Sequence, residues 1–265
     1  MPDSRAADHG RGYNRPPGHG PVLPEECGDP QREGSSSAGG AVAVVTPGIE
    51  IWRADLRAPP AVVEQASGLL TAQERAHAER GTADVRRRRL LARAALRIAL
   101  ARWLTCAPAS LRFVTDPSGK PRLDGPGPHF SVSSSGDWSL IAVTSLGPVG
   151  VDVERVVALA ELEGIVTRRF APAQAREILE HSGERRLRAF YRCWTRLEAY
   201  LKATGSGFAG GLDSTLSDPD PRAWTVASVD PGRGLIGAVV VEGVHPWANA
   251  TLQARPLIAS YGLAE

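Results

Sequence analysis

Val149-Gly150-Val151-Asp152-Val153-Glu154 alternates strictly, with valine at the odd positions and glycine or a carboxylate at the even ones. A period of two is that of a β-strand, so the valines share one face and Gly150, Asp152 and Glu154 the other. Residues two apart on one face sit roughly 6–7 Å from each other. Two carboxylates at that distance repel unless a cation lies between them. Oxygen-only donors of this kind suit Mg²⁺, which takes one or two carboxylates and keeps its remaining positions for water or substrate phosphate. On its own the segment also fits a half-exposed strand with a solvated polar face.

The surroundings of this strand set the expected architecture. Leu146-Gly147-Pro148 makes a turn into it. Upstream, Ile49, Trp52 and Leu56 read as an early strand, followed by two helical segments between about 60 and 80. A long helix then runs from about 84 to 104, with Leu90, Ala94, Ile98 and Ala101 on one stripe, and Pro108 ends it. Short β-type runs follow at 111–115, 129–133 and 139–144, with a turn at Gly136-Asp137.

Downstream, the chain reads as helical from about 158 to 205. Pro172 lies near a helix start, and Gly205-Ser206-Gly207 forms a sharp stop. Strands return at 224–229, 235–241 and 248–254, split by Pro231-Gly232 and His245-Pro246. Helices then strands, twice over, predict two similar α+β halves, 41–147 and 148–265, although no sequence repeat proves a duplication. Residues 1–40 are rich in Gly, Pro, Ser and Arg with almost no large apolar side chains, which predicts a disordered extension.

Composition narrows the function classes. Hydrophobic residues make up 42% and charged residues 23% of 265, as in a soluble globular protein. A net charge of +2 gives no overall pull toward nucleic acid. Cys27, Cys106 and Cys193 share no close spacing, so neither a zinc knuckle nor a disulfide scaffold is expected. No apolar run approaches the roughly 20 residues of a membrane span, and no signal-peptide pattern opens the chain. The expectation is a cytoplasmic monomer with no membrane and no nucleic-acid partner.

A second segment carries chemistry. Phe190, Trp194, Leu197 and Leu201 form an apolar stripe at helical spacing, and Tyr191, Thr195, Glu198 and Lys202 form a polar stripe one position on. Glu198 and Lys202 are one turn apart. Alone they also fit an ordinary helical ion pair worth about 0.3–0.5 kcal/mol.

Together, Val149–Glu154 and Trp-Thr-Arg-Leu-Glu-Ala-Tyr-Leu-Lys at 194–202, some 40 residues apart, resemble the signature pair of the Sfp-type 4′-phosphopantetheinyl transferases. The match falls on Gly150, Asp152, Glu154, Trp194, Thr195, Glu198, Ala199 and Lys202. Gly119-Lys120-Pro121 and Phe130-Ser131-Val132-Ser133-Ser134-Ser135-Gly136 fit two further motifs of that family, in the right order.

The resemblance implies an α+β fold of two pseudo-twofold-related halves with coenzyme A bound in the cleft between them. By similarity, Asp152, Glu154 and Glu198 hold Mg²⁺ with the pyrophosphate, and Lys202 contacts the phosphates. Lys120, in the Gly119-Lys120-Pro121 turn, and the backbone of Ser133, Ser134 and Ser135 meet the nucleotide end, and an arginine of the long helix binds the 3′-phosphate or adenine side. Arg88 best fits that place, with Arg89 one residue away as the alternative. The run 86–89 with Arg93 and Arg97 supplies positive charge. It also fits a solvated helix face, while interleaved aromatics for nucleic acid are missing.

The implied reaction moves phosphopantetheine from coenzyme A to a serine of an apo acyl or peptidyl carrier protein of fatty acid, polyketide or peptide synthesis, releasing 3′,5′-ADP. Asp152, Glu198 and Lys202 are the implied catalytic groups, with Glu198 as general base. Two positions depart from the family: Ser134 stands for its histidine, and Leu197 for the lysine before the glutamate. They motivate an alternative, a non-catalytic module that binds coenzyme A or a carrier protein.

Overall fold

A computed structural model describes residues 48–117, 119–206 and 219–257. The expected disordered segment 1–40 and Gly207 lie outside the described residues. The first half opens with β1 (Ile49–Asp55), then α1 (Pro60–Gly68), α2 (Ala72–Ala78) and the long α3 (Ala83–Leu104). The short pair β2 (Phe113–Thr115) and β3 (Pro121–Leu123) follows, then the hairpin β4 (His129–Ser135) and β5 (Trp138–Thr144).

The second half repeats the plan with β6 (Val149–Arg155), α4 (Leu162–Arg169), α5 (Pro172–Glu180) and the long α6 (Gly183–Thr204). The hairpin β7 (Trp224–Asp230) and β8 (Leu235–Glu242) comes next, with β9 (Thr251–Gln253) and β10 (Arg255–Pro256) closing it.

The two sheets run β10-β1-β5-β4 and β6-β8-β7-β9. In each, the opening strand pairs with the last strand of the hairpin, so β1-β5-β4 and β6-β8-β7 have one topology. The chain is α+β, built from two halves of like connectivity. The last two strands were read less well from sequence. Asn249 adopts a left-handed φ of 60°, so β9 begins only at Thr251. The unexpected β10 then crosses to pair in parallel with β1, Trp52 opposite Arg255.

Local chemistry sets the helix ends. Thr71 and Glu74 form a reciprocal capping box at the start of α2. The Thr82 hydroxyl accepts from the Val85 N–H at the start of α3, and Thr105 in the left-handed region ends it. Gly205, with φ 70°, ends α6.

Between the sheets, Ile49, Ile51, Leu140 and Ala142 of the first half meet Val149, Val151, Val153, Val239 and Val241 of the second in one core. Strand β6 is thereby covered on its valine face. Its other face lies under α6, so the half-exposed strand that its alternation also allowed is not what forms.

Helix α6 likewise has no solvated stripe at Tyr191 and Thr195. Both are buried, because the helix is enclosed by β6 and β8 on one side and by the α4–α5 layer on the other. In α3 burial is wider than the expected stripe, with Leu91 and every residue from Ala94 to Ala101 buried and Leu90 only half-buried.

Candidate active site

At Gly150 the backbones of β6 and α6 come into direct contact. A Cβ there would lie 1.8 Å from the Ala199 carbonyl oxygen and 2.5 Å from the Ala203 nitrogen. Only glycine lets the α6 backbone rest directly on β6. That contact brings Lys202, from the last turn of α6, onto Asp152. The Lys202 ammonium lies 2.7 Å from Asp152 Oδ1 and 2.8 Å from Ser133 Oγ, and the Ser133 hydroxyl donates to the same carboxylate oxygen at 2.7 Å.

Strand β4 contributes a row of hydroxyls. Ser131, Ser133 and Ser135 share one face at strand spacing and line the edge of β6. The Ser135 hydroxyl donates to Glu154 Oε2 at 2.7 Å and accepts from the Arg155 N–H, while Ser131 Oγ accepts from the Val151 N–H. Ser134, on the opposite face, is exposed and donates to Ser139 Oγ.

The acidic groups are short of positive charge. Asp152 is only 3% exposed, and its Oδ2 is buried with no hydrogen-bond partner. Burial raises its carboxyl above the ordinary value against the opposing pull of Lys202 and Ser133. Burial, joined by the Asp152 charge, likewise raises Glu154. Glu198 is pushed up to about 7, first by burial and then by the Asp152 charge, with Lys202 and Arg169 opposing and Glu154 adding.

Three carboxylates therefore face one another's charge, with an orphaned oxygen among them. An oxygen-only donor set of this kind fits a hard divalent cation such as Mg²⁺. As placed, no three acidic, His or Cys side chains converge into a metal-ligand cluster among the described residues.

A cleft of about 910 Å³ opens beside this cluster, walled by α2, α3, β2 and β4. Arg88, Arg89, Arg93, Arg112, His77 and Ser134 line it. A smaller one of about 350 Å³ holds Lys120, Phe130, Glu198, Leu201 and Lys202 and shares Gly119, Pro121 and Val132 with the first. Arg88 and Arg89 both reach the large cleft. Arg88 Nε donates to the Asp84 carbonyl and lies 3.8 Å from Asp137, and Arg89 donates to the Arg80 carbonyl.

Two arginines expected to add to this positive field are bound up in the framework. Glu74 takes Arg93 at 2.6 Å and Arg97 at 2.9 Å. Arg97 is almost fully buried and also donates to the Pro108 and Leu111 carbonyls. The lysine of the Gly119-Lys120-Pro121 turn points across the molecule, onto the carbonyls of Val149 and Lys202. Leu197 is buried with Phe170 and Phe190, so no cation stands at that position.

The hydroxyls of Ser133 and Ser135 and the charge of Arg169 beside Glu198 were missed by the sequence reading. Alternation of serine at 131, 133 and 135 carried the first signal, and nothing local carried the second.

Residues 148–238 match the model of the 4′-phosphopantetheinyl transferase superfamily. A Synechocystis sp. protein named as a 4′-phosphopantetheinyl transferase is 36% identical over 173 residues, 64% of this chain and 70% of its own length. The 4′-phosphopantetheinyl transferase HetI of Nostoc sp. is 30% identical over 208 residues, 74% and 88% of the two chains. The 4′-phosphopantetheinyl transferase Sfp of Bacillus subtilis is 32% identical over 128 residues, 48% and 56%.

Proposed function

The chain belongs to the 4′-phosphopantetheinyl transferases, and from that membership and the charge of its cleft we propose how its residues divide the work. The enzyme transfers the 4′-phosphopantetheine arm of coenzyme A to a serine of an apo acyl or peptidyl carrier protein and releases 3′,5′-ADP. The observation that carries the assignment of roles is the Lys202–Asp152 contact, with Glu154 and Glu198 close enough to feel the Asp152 charge, beside an arginine-lined cleft.

In this reading Asp152, Glu154 and Glu198 hold Mg²⁺, which when bound neutralises charge on the pyrophosphate oxygens. Arg88, with Arg89 beside it, receives the 3′-phosphate side of the nucleotide in the large cleft, together with Ser134. Gly119, Pro121 and the Ser133 segment border its other end. The carrier serine attacks the β-phosphorus, its proton passes to Glu198, and the bond to the ADP oxygen breaks. Glu198 accepts that proton directly or through a water. Lys202 stabilises the phosphate oxygens as charge builds on them.

In a cytoplasmic monomer, the halves at 41–147 and 148–265 act as the two walls of the smaller cleft, between residues 119–132 and 198–205, while the large one belongs to the first half. No described helix is long and apolar enough to cross a membrane.

Incubation with apo carrier protein, Mg²⁺ and coenzyme A tests the reading. Mass spectrometry should show one phosphopantetheine added to the carrier, and none without divalent cation. Coenzyme A binding with no transfer at saturation would instead establish a binding module, the reading that buried Leu197 and uncharged Ser134 would then explain.

A further inference from the structure

We propose that Lys120 is a positioning residue that seats the catalytic helix α6 on strand β6 rather than a ligand of the nucleotide, an inference that rests on the transferase reading above. Of the 31 lysines and arginines in the chain, only Lys120 and Lys202 are lysines. Every other basic position carries the planar guanidinium. The two ammonium groups stand at the two places where a compact donor fits between converging oxygens.

Lys120 belongs to the first half and is held there by its own turn. Its N–H donates to Asp116 Oδ1, its carbonyl accepts from the Asp116 N–H, and the Gly119 N–H donates to the Asp116 carbonyl. From that anchor its ammonium crosses into the second half. It donates to the Lys202 carbonyl at 2.6 Å and the Val149 carbonyl at 2.9 Å.

The first of these is among the last four carbonyls of α6, which have no partner within the helix and sit at the negative end of its dipole. The second belongs to the residue before Gly150, where helix and strand backbones touch. One side chain thus grips both elements beside their backbone contact at Gly150. Burial among these groups lowers its proton affinity, with Asp116 opposing.

The counterpart runs the other way. Lys202 belongs to the second half and sends its ammonium to Ser133 of the first and to Asp152. The backbone carbonyl of Lys202 is held by Lys120 while its side chain holds the reacting cluster. Displacing the first grip moves the second. A shift of about 1 Å at a reacting group can cost on the order of 100-fold in rate.

The test separates rate from affinity. Lys120→Met keeps the stem and removes the donors. Its single-turnover rate at saturating coenzyme A and carrier should fall about 10- to 100-fold, while the Kd of 3′,5′-ADP stays within about twofold of wild type, as expected for a group outside the nucleotide contacts. A rise in that Kd of tenfold or more at unchanged rate would make Lys120 a ligand, and no change in either would leave it idle. Both results overturn the proposal.

Should the variant fail to fold, the wild type answers the same question. Selective ¹⁵N-lysine labelling gives two ammonium resonances. Saturation with 3′,5′-ADP should leave that of Lys120 in place, and a shift as large as that of Lys202 would refute the positioning role. A wild type that neither binds 3′,5′-ADP nor transfers would instead sink the functional reading.

Discussion

Each half lays a 22-residue helix, α3 or α6, against a sheet whose three antiparallel strands, β1-β5-β4 or β6-β8-β7, follow one order, and each buries a charged cluster beside it. In the first half the charges close. Burial works to raise Glu74, but the Thr71 N–H and the guanidinium groups of Arg93 and Arg97 outweigh it and hold the carboxyl below its ordinary value. In the second half they do not close. Asp152, Glu154 and Glu198 are all raised, Lys202 is the ammonium set among them, and one buried oxygen has no donor. A balanced cluster holds a framework together. An acid surplus costs stability and is retained where a cation and a phosphate are to be handled.

The largest expected effect is also the sharpest test of that contrast. Asp152→Asn should reduce phosphopantetheine transfer by at least about 1,000-fold. Its thermal midpoint should hold or rise, because neutralising a raised carboxylate relieves repulsion. Glu74→Gln should do the reverse. It leaves the half-buried Arg93 and the buried Arg97 guanidinium groups without their counter-charge, at a cost of about 3 kcal/mol in unfolding free energy, while transfer by the folded fraction stays within a few-fold. Equal losses of stability in the two variants, measured by urea unfolding, would break the comparison.

Next in size is the way each helix meets its sheet. Helix α3 packs through the small side chains of Ala94, Ala95 and Ala99, whereas α6 packs through backbone at Gly150. Ala99→Gly should cost about 1 kcal/mol, the ordinary penalty for glycine inside a helix. Gly150→Ala forces a methyl into the Ala199 carbonyl and should cost about 4 kcal/mol with loss of transfer. Thermal unfolding of the two single variants compares them directly.

How far the sequence carried the fold and the site follows from where the signals are local. The period-two run at Val149–Glu154, the 3.6-period stripes of α3 and α6 and the turn glycines are properties of neighbouring residues, and they placed most elements. Strands β3 and β10 were missed because three and two residues hold too little pattern, and β10 exists only because β1 offers it an edge. In the site, Asp152, Glu198 and Lys202 were named from the family resemblance, because spacing alone also allowed a solvated strand face and an ordinary helical ion pair. The roles of Arg97 and Lys120 were not legible, since a buried arginine that grips carbonyls and an exposed one that could meet phosphate look alike in a helix pattern. Which of them is spent on the framework depends on Glu74 and Val149, both far away along the chain.

Titration should separate the halves by sign. Glu74 is depressed, so its stabilisation is full above its unfolded value near 4.5 and is lost as pH falls below that. Glu198 is raised to about 7, so between about 7 and 4.5 the folded protein holds a proton that the unfolded chain has released, and stability rises as pH falls through that window. Metal-free urea midpoints should therefore increase from pH 8 to 5 and drop below 4.5. Millimolar Mg²⁺ should lift the pH 8 end most, by binding the ionised acids. A midpoint that climbs steadily from pH 4.5 to 8 would contradict the acid surplus.

The smallest effect is expected where the first half already has charge to spare. Ser134 lines the large cleft with Arg88, Arg89, Arg93 and Arg112, and it stands where relatives of the Sfp type carry histidine. Replacing it by histidine, Ser134→His, adds an imidazole whose proton the neighbouring guanidinium groups disfavour, so it should be charged only below its usual value near 6.5. The KM for coenzyme A should fall about two- to threefold at pH 6, the scale of one exposed charge contact, and hold steady at pH 8, with kcat unchanged at both. A drop of tenfold or more would mean that these arginines do not supply the phosphate contact, and that the balanced half is less self-sufficient than its closed Glu74 cluster suggests.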